Sequence, residues 1–174
     1  RSSDLIKTMT ESLAGNEIRR VMGVMNGTCN YILTQMEETG ASYEAVLAEA
    51  QRLGYAEADP SFDVGGIDAA QKLALLVSIA FGTRVDFDAV VIEGIERVSL
   101  DDIEHAADMG YRIKLLGVAR LADGGLEARM QPCLVPIGSP SNDAPTLNGH
   151  LVLGTGDTTL QALRLVRPTG STDT

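Results

Sequence analysis

The stretch that most constrains this chain runs through residues 54–72 (GYAEADPSFDVGGIDAAQK) and straight into residues 73–81 (LALLVSIAF). The second part is apolar at nearly every position, which predicts a helix buried on most of its sides. The first part carries Glu57, Asp59, Asp63 and Asp68, the pair Gly65-Gly66, a proline and Lys72. Asp59-Pro60 breaks the chain ahead of the helix, Asp63 or Gly66 starts it, and Gly82 ends it. Asp68 and Lys72 stand four residues apart, so both lie on one face near the helix start. Charge at the mouth of a buried helix is costly unless it is paired or used. The chemistry of the chain is therefore expected here.

The flanking segments supply the frame. Asp4 caps a helix with Leu5, Ile6, Met9 and Leu13 at helical spacing, stopped by Gly15-Asn16. Residues 18–25 read as a strand, and Asn26-Gly27-Thr28 turns the chain into a helix over 29–38 that Gly40 ends. Ser42 opens another helix running to Leu53 and closed by Gly54. Residues 87–91 read as a short linker and residues 92–98 as a half-buried strand. Ser99 caps a helix over 100–109, with Asp101 and Asp102 matching its dipole. Residues 112–120 and 126–136 flank Asp123-Gly124-Gly125 as a hairpin, residues 150–153 and 160–166 form two last strands, and a polar tail follows. Helices precede most strands, which predicts an α+β class with a mixed β-sheet of about four to six strands covered by helices. Helices on one face only would leave the other face to a partner, so a homodimer is expected.

With 174 residues, 44% of them hydrophobic, the chain suits a single domain over residues 1–174. The net charge of −10 and the scattered Lys and Arg argue against nucleic acid and against anionic membranes. No apolar run approaches the roughly 20 residues of a membrane-spanning helix. Cys29 and Cys133 stand alone, and His105 and His150 lack a second ligand at metal-binding spacing, so no metal site is assigned to them. A reducing cytoplasm is the simplest compartment. The chain opens on Arg1 instead of Met, as an excised piece would.

A lysine near a helix N-terminus is repelled by the dipole, and with partial desolvation it becomes a proton acceptor that Asp68 would orient. The plainer alternative is an Asp–Lys pair on a solvated face, worth a few tenths of a kcal/mol. Glu57, Asp59 and Asp63 either recognise a cationic group, such as an amine or a divalent metal, or serve as caps and solvated loop charge. Gly65-Gly66 lets backbone approach a ligand or permits positive φ. Asn26-Gly27-Thr28 either presents helix N-terminal amides to an anion or is an ordinary turn. Cys29, with no histidine near it in sequence, is expected to be a small buried side chain rather than an activated thiol. No Gly-x-Gly-x-x-Gly follows a strand, Gly154-Thr-Gly156 being the nearest, so no dinucleotide-binding unit is expected in this chain.

Together these residues resemble the substrate-binding catalytic region of homoserine dehydrogenase. The likeness rests on residues 4–16 followed by IRRVMGVMNGTCNYIL (18–33), on residues 50–72, and on GYRIKLLG (110–117). It is strongest over residues 4–136, and residues 137–174 diverge. It implies NAD(P)-linked interconversion of L-homoserine and L-aspartate 4-semialdehyde, in threonine, methionine and isoleucine biosynthesis. Carried over residue by residue, Lys72 is the general acid/base with Asp68 beside it, and Glu57 holds the substrate amino group. Asp63, Tyr55, Thr28 and Gly27 line the same pocket. The family binds NAD or NADP mainly through a domain not matched here, which also contributes a second lysine, so no residue of this chain is assigned to the cofactor. The complete enzyme would also take a monovalent cation at a glycine-rich entry that reads Arg1-Ser2-Ser3 here. The expectation is a half-site that is very weak or inactive alone. Two other readings stand beside it: a non-catalytic dimerisation or ligand-binding module, and a divalent-metal site on Glu57, Asp59, Asp63 and Asp68.

Overall fold

The computed structural model describes residues 18–122, 124–138, 150–155 and 158–164. Strand β1 (Arg20–Gly23) leads into helix α1 (Gly27–Thr39). Asn26 caps α1 by accepting the Cys29 N–H, and Gly40, at φ 66, ends it with its own N–H on the Met36 carbonyl. Ser42 caps α2 (Tyr43–Arg52) in the same way. A four-residue helix α3 (Ser61–Val64) and the Gly65-Gly66 joint precede α4 (Ile67–Phe81). The expected linker is instead a 3-10 turn (Phe87–Ala89) followed by the short strand β2 (Val91–Ile92). Ser99 and Asp102 form a reciprocal capping box for α5 (Leu100–Asp108). The hairpin β3 (Tyr111–Ala122) and β4 (Gly125–Pro136) follows, then β5 (His150–Thr155) and β6 (Thr158–Arg164). The helix expected over residues 4–13, Asp123 in the hairpin turn and the tail after 167 lie outside the described residues.

The strands form one sheet in the order β2-β4-β3-β1-β5-β6, with β2 parallel to β4 and every other pair antiparallel. This is the expected α+β class with a mixed sheet. The helices pack on one face over a core that includes Val21, Ile32, Leu33, Met36, Leu73, Val77, Leu115 and Met130. A small cluster of Val24, Leu116 and Val135 occupies the opposite face. Helix α4 lies across β4, β3 and β1, with Gly117 of β3 under Leu73. A Cβ at Gly117 would lie 2.9 Å from Met130 Cε and 3.1 Å from Leu73 Cδ1, so the missing side chain is what lets the helix settle on the sheet.

The register of strand β1 on β3 starts at Gly117, and helix α1 takes over the edge of β3 before that point. The buried Asn30 amide donates to the Leu115 carbonyl (3.1 Å) and accepts from the Leu115 N–H (3.0 Å), as a neighbouring strand would. Lys114 Nζ donates to Thr34 Oγ1 at 2.8 Å and Arg112 Nε to Glu37 Oε1 at 2.9 Å. Residues 30, 34 and 37 lie on one helix face, so successive turns of α1 are tied down along β3.

Two expectations need correction. Residues 92–98 leave the sheet after Ile92 and turn, with the Ile95 N–H bonded to the Val64 carbonyl at 2.9 Å. Their apolar residues Ile92, Ile95 and Val98 recur every third position, not every second, which is turn spacing. Helix α4 is not buried on most sides either. Ala69, Ala70, Leu73, Leu76 and Val77 are covered, but Leu75 is 67% exposed, because one helix face rests on the sheet and no described element covers the other.

Candidate functional site

The site forms where the N-termini of α1 and α4 meet. Gly66, at φ 79, caps α4 without a side chain, so the helix starts abruptly and Asp68 falls in its first turn. Lys72 follows one turn later, and its Nζ lies 2.5 Å from Asp68 Oδ2. Asp63 stands in α3, on the far side of the glycine joint. Asn26 connects the two helices: its Nδ2 donates to Asp63 Oδ1 at 2.9 Å and to Asp68 Oδ2 at 3.2 Å. The Thr28 hydroxyl donates to the Tyr55 carbonyl at 2.9 Å, and the Tyr55 ring packs on Tyr31 with centroids 4.9 Å apart. Those two contacts bring the loop before α3 against the first turns of α1.

Of the residues singled out in the sequence, Asp63, Asp68 and Lys72 come together as one array, with Gly27, Thr28 and Tyr55 beside it at the start of α1. Glu57 is exposed on the same loop, held through its backbone carbonyl by Gln51 Nε2 at 3.0 Å. Its carboxylate is not brought against the Asp–Lys array by any described hydrogen bond. Asp59 is turned to its own loop and accepts from the Ser61 N–H at 3.1 Å. Asp63 and Asp68 thus meet without Glu57 and Asp59, and no group of three His, Cys, Asp or Glu among the described residues could hold a metal. The divalent-metal reading is not favoured.

Lys72 departs from expectation in its setting. Its side chain is 53% exposed, so the partial desolvation inferred from the apolar run does not arise from this chain. Cys29 behaves as foreseen: it is fully buried, its Sγ donates to the Asp63 carbonyl at 3.0 Å, and burial followed by the negative charge of Asp63 pushes its thiol up to about 12. It is a packing residue behind the site. In sequence Asn26 reads only as part of a turn, because its two carboxylate contacts lie 37 and 42 residues away. The residue type at a strand-to-helix turn was the one signal available.

The Lys72 side of the site is open to solvent. A concavity of about 340 Å³ lies elsewhere, bounded by Glu93, Arg97, Asp102, His105, Met109 and Leu134 among others, and it contains none of the residues of the array. An array with a half-exposed ammonium paired to one carboxylate and an anionic loop nearby can bind a small zwitterion and exchange a proton with it.

The homoserine dehydrogenase family model matches residues 5–156. A homoserine dehydrogenase of Pseudomonas aeruginosa is 52% identical over 132 residues, covering 76% of this chain but 30% of that protein. One from Synechocystis is 46% identical over 155 residues, covering 86% of this chain and 36% of the relative. The chain therefore spans about a third of the length of the curated relatives it matches. Among solved structures, a homoserine dehydrogenase from Thiobacillus denitrificans superposes with a TM-score of 0.86 at 43% identity, over 89% of this chain and 36% of that one. A hyperthermophilic archaeal homoserine dehydrogenase in complex with NADPH gives a TM-score of 0.73 at 25% identity, over 92% of this chain and 44% of that one.

Proposed function

Because this chain belongs to the homoserine dehydrogenase family, we propose that it is the substrate-binding catalytic domain of an enzyme that interconverts L-homoserine and L-aspartate 4-semialdehyde. The observation that carries this reading is the array of Asp63, Asn26, Asp68 and Lys72, open to solvent on its Lys72 side. Lys72 moves a proton at the substrate's reacting oxygen, giving it as the aldehyde is reduced and taking it back as the alcohol is oxidised. Asp68 holds that ammonium at a fixed height above the helix. Glu57, exposed and anionic, receives the substrate's ammonium group, while Gly27 and Thr28 at the α1 N-terminus, with Asp63 and Tyr55, line the remaining wall.

A nicotinamide cofactor, NAD or NADP, supplies or accepts the hydride when bound. The described residues suit the reacting end of that chemistry and offer no Gly-x-Gly-x-x-Gly cradle, so we assign the dinucleotide to another part of the complete protein. The solvent-facing side of Lys72, 53% exposed, leaves room for such an approach. Residues 1–174 are read as one substrate-binding and dimerisation domain. Exposed apolar residues such as Leu75 and Leu134 favour a homodimer, and two free cysteines favour a cytoplasmic setting. The monovalent cation of the complete enzyme rests on the family resemblance alone.

The test is Lys72→Ala in the complete protein. Loss of a general acid/base lowers kcat by about 10²–10⁴-fold, and a fall of less than about tenfold removes Lys72 from that role.

A further inference from the structure

We propose that Asn26 is the positioning residue of this site, the single side chain that sets the spacing of Asp63 and Asp68 and, through Asp68, the place of Lys72. The inference rests on the acid/base reading above and extends it to a residue that neither the motif nor the family likeness assigned a role.

Three observations carry it. Asn26 is 5% exposed, and each part of its amide is used: Oδ1 accepts the Cys29 N–H at 2.9 Å, while Nδ2 donates to Asp63 Oδ1 and Asp68 Oδ2. These partners settle the orientation of the amide, since only the oxygen can face an N–H and only the nitrogen can face two carboxylates. The two N–H bonds of one planar amide diverge at a fixed angle, so the distance between the carboxylates they hold is fixed as well. Finally, Asp68 Oδ2 accepts from both Asn26 Nδ2 and Lys72 Nζ, so the lysine is aimed by an oxygen that is itself immobilised.

The residue type follows from the electrostatics. Asp63 and Asp68 are like charges brought close by the α3–α4 joint, and something must hold them without removing their charge. A lysine or arginine at position 26 would compete with Lys72 for Asp68. An aspartate would add a third negative group. A neutral double donor does neither, and it leaves Asp63 Oδ2 and Asp68 Oδ1 outside its own hydrogen bonds. Asn30 shares the burial but spends its amide on the Leu115 backbone and the Asn26 carbonyl, so it holds α1 in place without touching the carboxylates.

The test separates capping from positioning, because Asn26 does both. In the complete protein, Asn26→Ser keeps a capping oxygen and removes both donors to the carboxylates. The expected result is a kcat lowered about tenfold or more, with the melting temperature within a few degrees of the parent. In a Lys72→Ala background the same substitution should cost less than about threefold further, because residues acting as a unit are not additive. Equal losses in both backgrounds, or a single variant with parent-like kcat, overturn the proposal. If Lys72→Ala itself retains near-parent activity, the acid/base reading fails first; a deleterious Lys72→Ala with an additive Asn26→Ser removes only the role of Asn26. Should Asn26→Ser not fold, Asn26→Asp keeps the cap and replaces the donors with a third carboxylate, and its expected loss of kcat is at least as large. Parent-like activity in that variant also overturns the proposal.

Discussion

Replacing Gly94 by alanine should distort the joint between α3 and α4. A Cβ built on Gly94 would sit 2.3 Å from the Val64 carbonyl oxygen, 2.7 Å from Gly65 Cα and 3.0 Å from Gly65 C. All three are backbone atoms of the joint between α3 and α4, so no side chain can swing aside. Restoring ordinary contact needs a shift of about 1 Å, and overpacking of this kind costs roughly 1–3 kcal/mol. The same shift weakens the Ile95 N–H bond to Val64 O, now 2.9 Å, worth a further 0.5–1.5 kcal/mol or so. The total is about 2–4 kcal/mol, or roughly 4–16 °C in the melting temperature of a chain this size. Gly66→Ala is the internal comparison. Its φ of 79 costs about 1–2 kcal/mol for a side chain, while its nearest neighbour, Met130 Cγ, would lie at 3.4 Å, an ordinary contact. Thermal unfolding of the purified chain by circular dichroism should therefore rank Gly94→Ala below Gly66→Ala. A Gly94→Ala melting point within about 2 °C of the parent, or the reverse order, would refute the backbone-contact argument.

Other consequences are checked in the same preparations. Lys114 is 4% exposed, and burial holds its ammonium below the usual lysine range, so folding disfavours its charged form. Its penalty is fully present below the depressed folded value and fades as pH rises from there towards the unfolded 10.5. The stability of the parent relative to Lys114→Met should accordingly improve with pH across that window in denaturant titrations, and a flat difference would contradict it. Cys29, with its thiol near 12 and its side chain fully buried, should not react with a thiol reagent at pH 8 until the chain unfolds; early modification at that position would show that the packing behind Asp63 opens. Asn30→Ala strands both backbone groups of Leu115, at about 1–3 kcal/mol each, so its denaturant midpoint should fall by an amount matching roughly 2–6 kcal/mol.

Local chemistry made much of this fold readable. Asn26, Ser42 and Ser99 mark helix starts and Gly40 and Gly82 mark ends, because caps are read within a few residues. The hairpin of β3 and β4 followed from a glycine turn between two apolar runs. The Asp68–Lys72 pair was legible because an i,i+4 relation is built into the helix. What stayed hidden depends on distance along the chain. Nothing local in residues 92–98 says that Gly94 must slide against Val64 and Gly65, and that contact is what draws the segment off the sheet. The open side of Lys72 depends on which face of α4 meets the sheet, a choice made by the fit of Leu73 over Gly117. Asn26 and Asn30 read as ordinary polar residues until the fold brings Asp63, Asp68 and Leu115 to them.

The side-chain amide that stands in for a strand beside Leu115 gives the molecule a clock. Most amide hydrogens in a sheet exchange with solvent only when strands part, yet the hydrogen on Leu115 is sealed by one residue of α1. Its exchange rate therefore times the departure of that helix, and Asn26 is the cap of α1. A small ligand that bridges Asp63 and Asp68 should slow deuterium uptake at Leu115. An event at the substrate would then be readable in a single backbone proton held one turn into the helix.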